Sequence, residues 1–582
     1  VRARRLTAVS ILLAALAGCS NTPPPPVVTS PVAQSSPTPT DTASQIVIGV
    51  DDIVGGYNPH ALADSSVVTS ALAQLLLPSV FRPGPDGVPK LDTNLMRSAE
   101  VISGGPGSPT DGPFVVAYDI RPDASWSDGA PIAAEDFVYL ANAMREQPGV
   151  VEPAGYRLIT GVQSREGGKR VEVTFAKPYP AWQTLFDNLL PQHLLKDAPG
   201  GWRAALEGGF PAYGGPFAIK NLDRDRGEII LERNERYWEK PAAVDRLVFR
   251  RGDQPATAGA LGSGTVQLAL VRTDSTGLKR LGELGQQVEL HTVARPRVAS
   301  VLLRPAAGQP LADERVRAGV AALLDRGRLI EEGVSGGASA TLRADAQVTP
   351  PAAPGYRPTA PPAGPPVTQD LRRAEELLTS AGYVREAGLW RRDGRPLSLV
   401  VASPGEQEPY ASIAKELSSQ LVAAGVEVRT TNPAPRELFT NLLALPAGPG
   451  APPVDGAVGV DIAVVPQTAS GNAASVLASN FGCRTETEPP AGQENAAEPP
   501  ANPASFCDKA LQPSIEATLT GAAPPAESLA NLEPELWRRM VNIPLFQLAD
   551  TLAVGKGVSG VVPGPPMVGP FGNAVNWTRG SR

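Results

Sequence analysis

The chain has 582 residues, 42% hydrophobic and 19% charged, enough for about three or four packed units and too apolar for disorder throughout. A formal net charge of −7 offers no basic footprint, so no nucleic-acid partner is expected. Three cysteines and three histidines leave little material for a metal site, whereas 62 prolines and 58 glycines, about a fifth of the chain, demand long loops.

Residues 1–5 carry Arg2, Arg4 and Arg5, and an apolar run follows over 6–17, broken only by Thr7 and Ser10. This reads as a signal peptide over 1–18, too short to span a bilayer and flanked by orienting positive charge. It closes on Leu16-Ala17-Gly18-Cys19, which resembles the lipobox of bacterial lipoproteins. The resemblance implies that Cys19 is lipidated (palmitate among its acyl chains) and becomes the first mature residue. The segment 19–44, rich in Pro, Ser and Thr and including Pro23–Pro26, cannot bury enough surface to fold. It is expected to be an extended tether from the cell membrane to a body on the extracytoplasmic face. No later segment reads as a transmembrane helix.

With Cys19 committed to lipid, Cys483 and Cys507 remain in an exported, disulfide-permissive compartment. The Glu/Pro/Ala/Asn-rich loop at about 484–506 has no apolar periodicity and is expected to be disordered, clipped by a bridge between the two. A thiol nucleophile is the other reading, and would need a basic partner and a pocket that this context does not offer.

In chain order, alternating or continuous apolar runs predict strands over 45–51, 114–120, 170–176, 217–221, 228–232, 246–250, 397–401, 427–431 and 459–465. Apolar residues at helical spacing predict helices over 64–77, 133–146, 313–324, 371–381, 410–424 and 436–443. Such alternation implies a mixed α/β sheet. No internal repeat is found.

Several ordered motifs carry a family resemblance. Trp126-Ser127-Asp128-Gly129, with 131–137 following, is similar to the W-S-D-G-x-P signature of the family 5 extracytoplasmic solute-binding proteins, the peptide- and nickel-binding proteins of ABC importers. Gly215-Pro216-Phe217, Leu231 to Trp238, 247–250 and 260–264 resemble the family's next segments. Asp313 to Arg317 with Asp325-Arg326 resembles D-x-R-V-R … D-R, with Gly319 where the family usually has Ala, and 374–383 matches A-x-x-L-L-x-x-A-G-[YF]. Tyr57-Asn58-Pro59-His60, 147–161, 178–182, 355–362 and 477–483 are similar to a mycobacterial lipoprotein branch of that family, associated with phosphatidylinositol mannoside and lipoarabinomannan synthesis.

The resemblance implies an α/β, two-lobed periplasmic-binding-protein-like fold of the large peptide-binding class. Lobe I is expected over 45–293, with an extra subdomain at about 92–176, lobe II over 294–526, and a return to lobe I over 527–582. The lobes would close by hinge motion. Peptide-binding relatives use a G-W-x-x-D-Y segment in lobe II, whose Asp pairs with the peptide ammonium. In ungapped register from Asp461 that segment is Val465-Pro466-Gln467-Thr468-Ala469-Ser470, so Ala469 stands in place of the acid. Gln467, Thr468, Ser470 and Asn472 suit sugar hydroxyls or a phosphate edge better than a cation. The other reading takes the acid from elsewhere, Asp455 or Asp461. Tyr57, Asn58 and His60, after the first strand, are further ligand candidates, and Tyr57, Tyr179 and Trp182 could stack on sugars or simply pack lobe I.

An enzyme is not expected. Gly333-Val334-Ser335-Gly336-Gly337 matches G-x-S-x-G, but His60, His193 and His291 all precede Ser335, so the Ser–acid–His order cannot be completed. The carboxylate pairs Asp51-Asp52, Glu135-Asp136 and Glu331-Glu332 read as caps and solvated faces. No metal and no cofactor are expected. The leading expectation is a monomeric, membrane-anchored receptor for a glycolipid of phosphatidylinositol mannoside type, or a partner carrying one, regulating envelope lipoglycan synthesis with envelope-synthesis enzymes. The rival is the substrate-binding subunit of an ABC importer, delivering peptide-like solutes to a permease.

Overall fold

Burial of the predicted apolar runs produces a ten-stranded sheet in the computed structural model, which describes residues 44–105, 112–306, 308–444, 459–484 and 500–580. From one edge the strands run Glu427–Thr431, Ser398–Ala402, Ile462–Thr468, Val288–Leu303, Asn542–Gly555, Leu268–Val271, Gln45–Val50, Arg246–Arg251, Glu228–Arg233 and Phe217–Asp223. The first three lie in the stretch expected to form lobe II and the last five in that expected to form lobe I. The two long strands in the middle belong to both.

Within each lobe the sheet has a parallel part. Gln45–Val50 pairs in parallel with Arg246–Arg251 and Leu268–Val271, and Ser398–Ala402 with Glu427–Thr431 and Ile462–Thr468. The long strands are antiparallel and cross between the lobes. Val288–Ala294 pairs with Gly555–Ala549, the register then slips across Arg295-Pro296-Arg297, and Val298–Leu302 pairs with Gln547–Asn542. A bulge of this kind bends a ladder and increases its twist, so the sheet changes direction where one lobe gives way to the other. Neither crossing strand was predicted from the sequence. The polar trio in the middle of 288–303 broke the apolar pattern.

A second sheet, in the order Met96–Ser103, Phe114–Ile120, Arg170–Phe175, Ile159–Arg165, is covered by the helix Ala134–Glu146. Its Phe137, Leu140, Ala141 and Met144 are buried against that sheet, as their spacing required. Lobe II builds its own core around Glu314–Leu323, Leu371–Ser380 and Tyr410–Ala423. The expected helix at 436–443 is a single π-type turn, Glu437–Leu442.

The family motifs prove to be struts. Trp126 is fully buried, and its Nε1 donates to Asp136 Oδ2 at 3.2 Å, while Asp136 also accepts from the Ala133 and Gln192 amides. Burial pushes the Asp136 carboxyl up to about 6, although those bonds and His193 oppose it. It is therefore a buried keystone that also caps its helix, as expected of its pair, by accepting the Ala133 N-cap amide. Gly215 packs so closely on the preceding helix that a Cβ there would lie 2.3 Å from the Leu75 carbonyl oxygen. In lobe II the guanidinium of Arg326 is inaccessible to solvent, donates to the Pro544 and Ala344 carbonyls and to Asp345, and lies over the Trp537 ring. Gly319 replaces the family's Ala because a Cβ would sit 2.9 Å from Leu378 Cγ.

Cys483 and Cys507 form the expected disulfide, closing a separation of 24 residues. The loop between them lies largely outside the described residues, as do the signal peptide, Cys19 and the tether. No helix among the described residues is long and apolar enough to cross a membrane.

Candidate ligand-binding cleft

Parallel strands leave their carboxyl ends on one side of a sheet, where side chains from successive loops converge. Here that rule brings Asp51, after Gln45–Val50, toward Thr468 and Ser470, which end and follow Ile462–Thr468, with the 295–297 bulge between them. Asp51, Glu152, Arg295 and Arg297 all keep solvent-accessible surface although protein crowds them from nearly every side, as side chains lining a deep cleft do.

The charges are unevenly matched. Arg295 donates through Nε and Nη2 to the Asp550 carboxylate in a two-pronged ion pair. Asp51 is solvent-exposed, as expected of its pair, and accepts the Arg272 amide; crowding by protein pushes its carboxyl up to about 7, against that amide and with Asp550 adding to the rise. Arg297 reaches Ser65 Oγ at 3.3 Å and the Pro296 carbonyl at 2.8 Å, and forms no ion pair among the described residues. Ala469 packs beside it, with its N–H donating to the same Pro296 carbonyl at 3.1 Å.

Two polar contacts tie the lobes across the cleft. Arg436 of lobe II meets Asp64 of lobe I at 2.7 Å, and the Asp64 side chain is fully buried. Its carboxyl is pushed up to about 6 by burial, which outweighs Arg436 and the Asn58 amide. Ser470 Oγ donates to Glu152 Oε2 at 2.9 Å, and burial again raises that carboxyl.

Beside this contact lies a cavity of about 40 Å³, lined among others by Glu152, Arg157, Phe439, Gln467, Thr468 and Asn480. It has room for two or three waters. Arg157 donates Nη2 to the Ala501 carbonyl, its Nε is buried without a hydrogen-bond partner, and burial with repulsion from Arg484 brings it down to about 10.

The sequence-expected residues fall into two groups. Gln467 and Thr468 line the cavity, and Ser470 joins Glu152 at the lobe contact. Asn472 is the N-cap of the helix Ala473–Phe481, its Oδ1 accepting from the Ser475 amide. The others are consumed inside lobe I. Tyr57 is fully buried beneath the Arg224 guanidinium, 5.7 Å from its ring. Asn58 accepts the His60 amide and gives its own amide to Asp64, and His60 Nε2 meets the Asn188 carbonyl at 3.0 Å. Tyr179 and Trp182 pack among Phe175, Phe81 and Tyr118. Asp461, weighed as a substitute acid, is buried at the start of its strand and accepts the Val400 amide, and Asp455 lies outside the described residues. Ser335 ends the helix Arg326–Val334 in a left-handed conformation, with Oγ donating to the Glu332 carbonyl, so it sits on no strand-to-helix elbow. No group of three or more metal-ligating side chains occurs among the described residues.

Comparison with known proteins agrees with the fold. The model of bacterial extracellular solute-binding proteins, family 5 Middle, matches residues 107–444. The chain belongs to that family. It is 34% identical to the "Probable monoacyl phosphatidylinositol tetramannoside-binding protein LpqW" of Mycobacterium tuberculosis, over 98% of this chain and 97% of that protein. It is 26% identical to the oligopeptide-binding protein OppA of Mycobacterium bovis, over 68% of this chain and 66% of OppA. The oligopeptide-binding protein of Thermus thermophilus, solved with a pentapeptide, superposes with a TM-score of 0.70 at 17% identity, covering 92% of this chain and 96% of its own. The two-lobed family fold is thus shared by all three. The residues that sequence reasoning missed are Asp51 as a cleft group, Glu152, Arg297 and Arg436. Only the Arg-Pro-Arg run at 295–297, interrupting apolar sequence on both sides, could have signalled any of them.

Proposed function

We propose that this protein is a lipid-anchored extracytoplasmic receptor, without catalytic activity, whose lobes close over a mannosylated phosphatidylinositol headgroup or a partner carrying it, and that it regulates envelope lipoglycan synthesis. The observation that carries the reading is Ala469. Where the peptide-binding pattern has an ammonium-pairing acid, this chain has a buried methyl group whose N–H is bonded to Pro296, next to the guanidinium of Arg297. A peptide ammonium there would be desolvated beside a like charge, which costs several kcal/mol in a low-dielectric site. Sugar hydroxyls can instead exchange hydrogen bonds with Gln467, Thr468 and Ser470, while Tyr57, Asn58, His60 and Asn472 hold the surrounding turns. The name borne by the LpqW relative supports the same ligand class. On this reading lobe I spans 45–293, with its subdomain at about 92–176, and lobe II spans 294–526; the segment 527–582 is not a simple return to lobe I, because Trp537 and Ile543 to Leu548 pack with lobe II before the strand Asn542–Gly555 crosses back. The protein acts as a monomer tethered through Cys19.

A second reading, the substrate-binding subunit of an ABC importer, is favoured by the similarity to OppA. Native mass spectrometry of the purified protein with phosphatidylinositol mannosides and with tripeptides separates the two. Glycolipid adducts without peptide adducts are expected. Stable peptide adducts and no glycolipid adducts would overturn the proposal.

A further inference from the structure

Buried cations are ordinarily paired, because an unmatched guanidinium in a low-dielectric site loses hydration that nothing replaces. Arg297, part-buried in the cleft, has no acidic partner among the described residues. Its acceptors there are one serine hydroxyl at 3.3 Å and one carbonyl at 2.8 Å, both neutral, and Nη2 donates to no described residue. Its neighbour Arg295 is matched by Asp550. The nearby acids are engaged elsewhere: Asp64 by Arg436, and Glu152 by Ser470. Desolvation accordingly lowers the Arg297 pKa, with the attraction of Glu152 failing to offset it.

A second source of positive potential meets it. Ser65, the hydroxyl that Arg297 touches, directly precedes Ser66, the N-cap of the ten-residue helix Val67–Leu76. That end of a helix carries about half a positive charge and favours oxyanions. The contact of Arg297 with Ser65 brings the bulge of the crossing strand to that helix N-terminus.

We propose that Arg297 and the N-terminus of the helix Val67–Leu76 form a phosphate-recognising subsite in the cleft, supplying the negative charge's counterpart when the lobes close on ligand. This deepens the glycolipid-receptor reading and rests on it for the source of the phosphate, since a phosphodiester of a lipid headgroup and free phosphate share the same oxyanion chemistry. Glu152 opposes the site and tunes it.

Calorimetry on the full protein tests this with three probes: inorganic phosphate, deacylated phosphatidylinositol mannoside, and neutral mannotetraose. Arg297→Gln is expected to weaken the phosphate-bearing glycan at least tenfold, to abolish the thermal stabilisation given by inorganic phosphate, and to leave mannotetraose within twofold. Glu152→Gln, which leaves Arg297 in place, is expected to strengthen both phosphate probes. Equal losses for charged and neutral glycans, or phosphate stabilisation surviving in Arg297→Gln, would overturn the subsite. Binding of inorganic phosphate through Arg297 with no binding of either glycan would uphold the subsite and overturn the glycolipid reading. Phosphate binding unaffected by either variant would mark an adventitious ion only.

Discussion

The Asp64–Arg436 ion pair is the contact most exposed to a decisive experiment, because its two members are buried unequally. The Asp64 side chain is inaccessible to solvent while that of Arg436 retains 24% of its surface. At 2.7 Å and an effective dielectric of about 20, the gross attraction is about 6 kcal/mol, most of it offset by desolvation. Removing Arg436 strands a carboxylate in the closed lobe contact, and a net cost of about 2 kcal/mol, or roughly 30-fold in the closed-to-open ratio, is expected. Asp64→Asn leaves only a partly solvated guanidinium and should cost under about 1 kcal/mol. The sign with pH follows from the raised carboxyl. Burial raises the Asp64 carboxyl to about 6 against the pull of Arg436, so the group is ionised at pH 7.5 and largely protonated at pH 5, where the charge stranded by losing Arg436 is relieved. Dye pairs at exposed Leu194 and Leu371, one on each lobe, report the interlobe distance by energy transfer. Arg436→Ala should open the protein at pH 7.5 and largely reclose it at pH 5, with Asp64→Asn near wild type at both. An Asp64→Asn effect as large as that of Arg436→Ala, or an Arg436→Ala effect independent of pH, would refute the reasoning.

Arg326→Ala should destabilise lobe II by about 2–4 kcal/mol, since it leaves two backbone carbonyls unpaired in a site without solvent, while Asp345, part-exposed, keeps Arg343, and chemical denaturation measures it. Gly319→Ala, although it restores the family's usual residue, should cost about 1–3 kcal/mol by pressing on Leu378, and Leu378→Val should recover part of that in the double variant. Asp136 and Asp461 are both pushed up to about 6 by burial, so the native state holds protons that the unfolded chain releases above about 4. Stability should therefore fall as pH rises from about 4 to 6, giving a higher melting temperature at pH 5 than at pH 7, and Asp136→Asn should flatten that slope. Cys19→Ala should move the protein from the membrane fraction to the soluble one, and unchanged pelleting would remove the anchor from the account.

Most of the regular structure was legible because burial and periodicity coincide where one face packs. The strand Phe114–Ile120 and the helix Ala134–Glu146 each bury one face against a partner, and their apolar spacing gave them within a residue. The crossing strands were not legible for the opposite reason. Asn542–Gly555 is buried on both faces and includes Asp550, Thr551 and Gln547, whose partners are distant in sequence. A polar residue inside a strand looks like a break until its partner is known. Similarly, the Tyr57–His60 turn looked like a site because it concentrates aromatic, amide and imidazole groups. Its hydrogen bonds to Asp64 and to the Asn188 carbonyl spend them on the fold.

The cleft itself was legible on one side only, and topology explains the asymmetry. Gln467, Thr468 and Ser470 are adjacent in sequence because a single strand end delivers them, so a motif register could find them. Arg297, Ser65, Glu152 and Arg436 come from separate parts of the chain, and their contacts, Arg297 with Ser65, Arg436 with Asp64 and Glu152 with Ser470, join residues far apart in sequence. A ladder without the slip would keep Arg295 and Arg297, two positions apart, on one face of the sheet in similar surroundings. With the slip, Arg295 folds back onto Asp550 of the neighbouring strand while Arg297 reaches out to Ser65. The bulge thus leaves one guanidinium neutralised by Asp550 and one without an acidic partner among the described residues, from the same short sequence. On the proposed reading, that second guanidinium is the one whose charge a ligand would complete.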